Sequence, residues 1–344
     1  MKYKLLILFT LFSLSLAAQS PLPIDTYDYG VPENNVSAIA IGMGGINLTN
    51  PDDPFASYGN PALLANNEAT MLYLAYRMAD NEKLSFWEAA SVSNFLKEKQ
   101  FKYITLVSKQ AGFSYQPMAS INISSYDAVT NKTLYYDYKL DKLQLSLAMK
   151  DKDWPSLTAG VNLKYLTGRL VYLVERRESN QFVREHFIDD KVKGLSSDIG
   201  LTLRSGDVFY GLTLYDLLSR LWWENYDSVS IQRRIGTAVQ YGSKDSKVNF
   251  GIQSKISKKP ETTYHVGYSY ARNWDSQGFS DEQLKQGMDL RVGFYSHDFY
   301  GADNINLTLG GGYHYQMFRF DFSLNSRGLK IADSEFLFSL GLGF

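Results

Sequence analysis

Hydrophobic and polar residues alternate in a series of segments from Thr70 to the last residue, and polar turns separate these segments. In one of them the apolar set is Leu157, Ala159, Val161, Leu163 and Tyr165, and the residues between are Thr158, Gly160, Asn162 and Lys164. The pattern recurs in residues 198–204, 248–253, 264–270 and 318–324. A period of two indicates β-strands with one apolar and one polar face. The chain is therefore predicted to be all-β.

Alternation of this kind fits both a soluble β-sandwich and a membrane β-barrel. The polar face is rich in Gly, Asn, Lys and Arg, as a hydrated lumen would be, and many segments have roughly the 9–11 residues with which a tilted strand crosses a bilayer. The final segment alternates up to Phe344. A terminal aromatic there resembles the signature read by outer-membrane assembly machinery. We therefore predict a transmembrane antiparallel barrel, with outer-membrane lipid and that machinery as partners and Phe344 as the assembly signature.

The number of strands follows from the alternating segments, which are about 15, whereas a barrel of this class has an even number of strands. The candidates are residues 70–78, 83–93, 101–109, 111–124, 139–149, 156–167, 195–204, 207–216, 231–241, 246–257, 262–272, 287–297, 304–315, 317–325 and 334–344. The stretch 272–287 also falls on the side where turns should be short. One candidate is therefore a loop, part of a fused pair or a non-spanning strand, and about 14 strands are predicted.

The N-terminal residues differ from the rest of the chain. Basic Lys2 and Lys4, an apolar run and small Ala17 and Ala18 predict a cleavable secretory signal peptide over residues 1–18. Residues 19–68 are rich in Gly, Pro, Asn and Asp and lack sustained alternation, which predicts a compact, turn-rich segment. The barrel is then expected over residues 69–344.

Composition narrows the function classes. The chain has 35 basic and 36 acidic residues without long runs of one sign, so no nucleic-acid partner is predicted. It has no cysteine, and His186, His265, His297 and His314 lack metal-ligand spacing. No enzyme motif, metal site or cofactor is predicted. Aromatic residues make up 15% of the chain, which suits the interfacial girdles of a barrel.

Residues 38–65, AIAIGMGGINLTNPDDPFASYGNPALLA, carry a recognisable pattern. The Gly-Met-Gly-Gly run (Gly42, Met43, Gly44, Gly45), the acidic pair Asp52 and Asp53, and the Asn-Pro-Ala run (Asn60, Pro61, Ala62) resemble the N-terminal motif of the FadL-type (OMPP1/FadL/TodX) outer-membrane family. The tail 310–344 is similar to that family's closing two-strand unit. The resemblance implies that residues 19–68 form a hatch that plugs the barrel, shaped by the two runs. The short chain favours the PorV/PorQ-like branch of this family.

Charged residues on the polar faces are candidates for a lumenal site. These are Lys164, Arg204, His314, Arg319 and Asp321. They could bind a carboxylate or pair with one another, and the pairing interpretation is the simpler one. Residues 217–230, with Trp222 and Trp223, lie between two alternating segments and are expected at a loop or rim. They could form a membrane-interface anchor, a ligand entry groove or a partner contact, and the anchor is the simplest interpretation.

Two functions remain open at this point. The first is passive transport of hydrophobic small molecules across the outer membrane. The second is a type IX secretion accessory that docks secreted-protein cargo. A continuous apolar tunnel from the rim to the hatch would favour transport, whereas a lumen filled by hatch and polar side chains would favour the accessory role.

Overall fold

The structure of the chain is a computed structural model that describes residues 20–22, 36–67, 69–78, 101–178, 181–243, 245–256, 261–277, 283–297, 305–327 and 330–344. The predicted signal peptide, residues 1–18, and the candidate strand 83–93 lie outside these residues. Within them, 14 strands form one closed antiparallel barrel. The all-β prediction and the predicted number of strands are confirmed.

The strands follow one another around the barrel in chain order. They are β1 (Met71–Met78), β2 (Phe101–Ser108), β3 (Ala111–Asp127), β4 (Lys132–Lys150), β5 (Leu157–Glu178), β6 (Gln181–Ser205), β7 (Val208–Trp223), β8 (Arg234–Gly242), β9 (Ser246–Lys255), β10 (Thr262–Gln277), β11 (Gln283–His297), β12 (Ile305–Tyr315), β13 (Phe318–Arg327) and β14 (Lys330–Gly343).

The barrel closes where the first strand meets the last. Strand β1 pairs with β14 over its whole length, from Met71 opposite Gly343 to Met78 opposite Phe336, and pairs with β2 on its other side. Closure leaves no unpaired sheet edge, which a barrel in hydrocarbon requires because the bilayer offers no hydrogen-bond partners.

The long stretch at 272–287 is mostly strand. Strand β10 continues to Gln277 and β11 begins at Gln283, and the two pair along this extension. Other connections at this end of the barrel are short, and residues 109–110, 151–156, 206–207, 243–245 and 316–317 separate their strands. We call this the short-turn end. The described strands β1 and β14 begin and end there, as an even number of strands requires.

The two faces of the wall are inverted relative to a soluble protein. Outward side chains are apolar and exposed, among them Leu163 at 49%, Phe250 at 54% and Leu340 at 50%, whereas inward Asn162 and Asp321 are fully buried. An apolar exterior around a polar interior is the arrangement expected of a barrel in a bilayer.

The wall is taller on one side than the sequence predicts. Strands β3 to β7 have 16 to 25 residues, against the roughly 9–11 that a tilted strand needs to cross a bilayer. Of residues 217–230, which were expected at a loop or rim, 217–223 continue strand β7 and 224–230 lie in the connection to β8. Trp222 is partly exposed on the outer face, and Trp223 is buried inside.

The described residues 36–67 lie inside the barrel and are called the hatch from here on. They contain helix α1 (Ala38–Gly42), helix α2 (Ala56–Gly59) and a 3₁₀ helix (Pro61–Asn66). Every residue from Val36 to Asn50 is buried. Residues 36–67 of the predicted plug, 19–68, are therefore part of the fold, and its residues 23–35 lie outside the described residues. No helix among the described residues is long and apolar enough to cross a membrane.

Candidate functional site

The Gly-Met-Gly-Gly run ends helix α1 and turns the chain. Ser37 caps the helix, since its Oγ accepts a hydrogen bond from the Ala40 N–H at 3.0 Å. Gly44 and Gly45 then adopt φ values of 85° and 84°, in the left-handed region where a Cβ is disfavoured. Gly44 and Gly45 therefore allow the hatch backbone to turn sharply after helix α1.

The Asn-Pro-Ala run starts the 3₁₀ helix and ties it to the wall. The Asn60 side-chain oxygen accepts from the Ala62 N–H at 3.0 Å, and Pro61 occupies the first turn, where no N–H partner is needed. The Asn60 amide donates to the Leu48 carbonyl at 3.0 Å and to the Leu201 carbonyl of β6 at 3.1 Å.

Asp53 holds the hatch together from within. Its carboxylate accepts from Ser37 Oγ at 2.5 Å, Asn47 Nδ2 at 2.7 Å and the Phe55 N–H at 2.9 Å. Burial raises the pKa of Asp53, and these hydrogen bonds offset only part of that rise. Its neighbour Asp52 instead pairs with Lys247 of β9 at 2.5 Å.

Side chains of the barrel wall form hydrogen bonds with the hatch on several sides. His265 Nδ1 lies 2.6 Å from the Gly44 carbonyl oxygen, and the Gly44 N–H donates to Thr308 Oγ1 at 3.2 Å. Thr158 Oγ1 donates to the Ala62 carbonyl at 3.1 Å. His265, on the polar face of the alternating residues 264–270, is buried against the hatch.

Glycines on the inner face of the wall give the hatch backbone room. A Cβ at Gly267 would overlap the Met43 carbonyl, and one at Gly160 would lie 2.5 Å from the Ala62 nitrogen. The same holds for Gly200, Gly211 and Gly293, against Asn60, Leu48 and Gly44. The sequence analysis identified glycines on this face, but their partners depend on how the hatch sits.

Lys164 belongs to a buried ion network. Its Nζ lies 2.6 Å from Asp198 Oδ1 and 3.0 Å from Asp216 Oδ1, and Arg234 Nη2 lies 3.4 Å from Asp216 Oδ2. Asp216 sits at a bulge of β7, with φ 53°, and its N–H donates to Asp198 Oδ1 at 2.9 Å. Lys164 is therefore paired with carboxylates of the wall, as the pairing interpretation expects. The sequence did not single out Asp198, Asp216 or Arg234.

Arg319 and Asp321 form a second network on β11 and β13. Arg319 Nε lies 2.8 Å from Asp321 Oδ2, and Arg291 Nη2 lies 2.7 Å from Asp321 Oδ1, with Asp289 bound to both arginines. His314 is half-buried and sits opposite Arg319 in the strand register.

Arg204 does not join either network. It is exposed at the end of β6, where its Nε donates to the Gly206 carbonyl at 3.4 Å. Alternation places it on the inner side, but the last buried inward residue is Thr202 and the turn at 206–207 follows. The expectation that Arg204 faces the lumen fails because the strand leaves the barrel interior before that position.

A cavity remains between the hatch and the wall, and we call it the polar cavity. Its volume is about 30 Å³, which is room for one or two water molecules. Tyr58 and Gly59 of the hatch line one side. The opposite side is lined by polar wall residues that include Lys142, Gln144, Lys164, Arg234 and Gln253.

A buried apolar patch, called the apolar wall, covers the inner face of β3 to β7 farther from the short-turn end. Its members are Ala119, Tyr138, Leu140, Leu166, Leu170, Ile188, Val192, Leu221 and Trp223. Along β4 the inward residues change from Ser146, Gln144 and Lys142 to Leu140 and Tyr138. The lumen thus passes from polar to apolar along its length.

Solved structures resemble this barrel over nearly its whole length. The toluene transporter TodX of Pseudomonas putida aligns with a TM-score of 0.55 at 11% identity, covering 94% of this chain and 98% of that one. The toluene transporter TbuX of Ralstonia pickettii gives 0.54 at 11% identity over 90% and 98%. This barrel shares the fold of these two proteins. A FadL homologue of Pseudomonas aeruginosa gives 0.51 at 11% identity over 90% and 98%.

Comparison of the amino-acid sequence with known families and proteins assigns the chain to none of them. No family model matches the chain, and no curated protein matches it. No group of three or more His, Cys, Asp or Glu residues that could hold a metal ion occurs among the described residues. The interior of the barrel thus combines three features: a hatch held by hydrogen bonds, the polar cavity and the apolar wall.

Proposed function

We propose that this chain is an outer-membrane channel through which hydrophobic small molecules diffuse. The observation that carries the proposal is the apolar wall on the inner face of β3 to β7, which a molecule would contact by displacing Leu22, Tyr226 and Ile231, residues that pack against it. Apolar surface that faces a lumen attracts apolar molecules out of water at about 25 cal/mol per Å² buried. The likeness in fold to proteins described as toluene transporters supports the same class of cargo.

The proposed path enters at the far end, crosses the apolar wall and reaches the hatch. The short-turn end would face the periplasm, since short periplasmic turns are typical of bacterial barrels. The hatch occupies the lumen and is hydrogen-bonded to His265, Thr308 and Thr158. It must therefore shift for a molecule to pass. Passage would then be limited by hatch movement and need no energy source.

The lumen is neither a continuous apolar tunnel, which would favour transport, nor filled throughout by the hatch and polar side chains, which would favour the secretion accessory. Its hatch end is filled by residues 36–67 and ion networks, and its far side is apolar on β3 to β7. The apolar wall favours transport over a purely polar, filled scaffold. No observation among the described residues favours the secretion accessory or the PorV/PorQ-like branch.

Uptake of labelled toluene by Gram-negative cells that produce the protein tests the proposal. A matched pair on β6 separates the lumen from the outer face: Ile188 is buried in the apolar wall, and its neighbour Phe187 is half exposed outside. Ile188→Gln places an amide among apolar side chains and is expected to reduce uptake roughly fivefold or more. Phe187→Gln should retain uptake.

Both variants must reach the membrane at the wild-type level and show the heat-dependent gel shift of a folded barrel. Wild-type cells that take up toluene no faster than cells lacking the protein would refute the proposal.

A further inference from the structure

Three cations lie close together on the outer face of the wall, toward the end opposite the short turns. Lys191 and Lys193 are on β6 and Arg220 is on β7, and all three side chains are exposed. We call them the cationic patch. They point away from the lumen, since their strand neighbours Val192 and Leu221 are buried inside. The patch is therefore separate from the hatch and the polar cavity.

The positive charge of the patch exceeds what its surroundings neutralise. By strand register, the charged side chains closest to Lys193 on this face are Lys191, Arg220, Arg169 and Glu224. Among the described residues no carboxylate forms an ion pair with any of the three patch cations, and Asp189, the next carboxylate along β6, is held by Arg169 at 2.6 Å. Like charges at neighbouring strand positions repel, so an anion from outside the chain would stabilise the patch.

The height of the patch matches the edge of a bilayer. Outward residues of β6 between the patch and the short-turn end include the exposed Leu195, Ile199, Leu201 and Leu203. Lys193 is ten residues from Leu203 along β6. That separation is about 33 Å along the strand and about 25 Å along the axis of a barrel whose strands tilt by about 40°. The outward apolar band of such a barrel is about 25 Å tall, so the patch lies at the level of lipid headgroups.

The neighbours of the patch suit a lipid better than a small anion. Leu195 lies opposite Arg220 and is 53% exposed, and Leu218 of β7 is 71% exposed, both on the side toward the apolar band. Trp222 lies opposite Lys193 on the outer face, and tryptophan is enriched at membrane interfaces. A lipid contacts the leucines with its acyl chains and the cations with its headgroup, whereas a small anion contacts the cations alone.

We propose that the cationic patch binds the phosphate group of a membrane lipid, with Lys193 and Arg220 as the main donors and Lys191 beside them. Arginine and lysine are the side chains that proteins commonly use to bind phosphate. Arg220 Nε and Nη2 donate to Ser228 Oγ at 2.8 and 2.5 Å, a neutral acceptor that a phosphate oxygen would replace with a charged one. In the orientation proposed above, this lipid belongs to the outer leaflet.

Lipid retention by the purified full-length protein, measured by native mass spectrometry, tests the proposal. The probes are lipid A, an acylated sugar that carries phosphates, and the same lipid A after phosphatase treatment. Both have the same acyl chains, so a difference between them reports the phosphates. Because hydrogen bonds between charged groups are strong enough to change an affinity roughly tenfold, intact lipid A is expected to bind at least roughly tenfold more tightly.

Lys193→Gln/Arg220→Gln is expected to abolish the preference for intact lipid A. The matched control, Lys150→Gln/Arg204→Gln, removes the same charge from exposed residues at the short-turn end and should retain the preference. Lys193→Arg keeps the charge and should retain it as well. Because all of these side chains are exposed, the variants should stay folded, which the heat-dependent gel shift checks.

Equal retention of the two lipids by the wild-type protein would overturn the proposal. So would a preference that Lys193→Gln/Arg220→Gln keeps, or one that the control loses to the same extent. Inorganic phosphate that displaces lipid A at an equal concentration would assign the patch to free anions and overturn it too. The proposal goes beyond the proposed function and does not depend on it, because a barrel without toluene uptake would still bind this lipid.

Discussion

Single glycines on the inner wall control how closely the hatch approaches. Gly267 of β10 faces the Met43 carbonyl with no room for a Cβ. Gly267→Ala is therefore expected to displace the hatch at a cost of about 1–3 kcal/mol, as overpacking does elsewhere. Hydrogen exchange of residues 36–67 should accelerate. Gly343→Ala is the control, because its Cβ would make only ordinary contacts of 3.6 Å or more, and exchange as fast in the control would contradict the prediction.

Asp53 should make hatch order depend on pH. Its pKa is raised above the ordinary value of 3.8, mainly by burial, so the folded hatch favours the protonated form. This contribution to stability is complete below 3.8 and is lost as pH rises through the raised pKa. Wild-type hatch protection, corrected for intrinsic exchange rates, should fall relative to Asp53→Asn between pH 4 and pH 8. Parallel curves for the two proteins would refute this.

At the scale of a strand, the bulge of β7 depends on a buried ion network. Asp216 bonds Lys164, Ser196 and Arg234 in the lumen, and its loss leaves two buried cations with less compensation. Asp216→Ala is expected to lower the free energy of unfolding in denaturant by about 3 kcal/mol. Asp189→Ala removes an exposed partner, that of Arg169 at 2.6 Å, and should change stability little. Equal losses in the two variants would show that burial is not the deciding factor.

Strand positions were predictable where lipid imposes alternation, and strand lengths were not. Residues 157–165 alternate strictly and form the start of β5, which continues through mixed residues to Glu178. Beyond the bilayer both faces of a strand meet water or protein, so the period of two is no longer enforced. Strand β10 similarly extends into residues 272–277, where the sequence suggested a loop.

At the scale of the whole molecule, the candidate site depends on contacts that no local pattern encodes. Lys142 looks like any other polar-face residue, and only the position of Tyr58 and the pairing of Lys164 elsewhere leave it without a carboxylate partner. The hatch motif was recognisable from Gly42 to Ala62. Its fastening to His265 and Thr308, more than 200 residues away, required the barrel to be assembled.

The barrel wall is expected to fold without the hatch. Backbone pairing from β1 to β14 satisfies the wall without help from residues 36–67, whereas those residues fill the lumen of a 14-strand barrel that is wider than side chains alone can fill. Replacing residues 36–67 with a short Gly-Ser linker is expected to leave a folded barrel that shows resolved single-channel current steps in planar bilayers. The intact protein should conduct ions poorly under the same conditions. Gly267→Ala, which only displaces the hatch, should fall between them. A folded, hatch-free barrel that conducts no better than the intact protein would show that something other than residues 36–67 blocks the lumen.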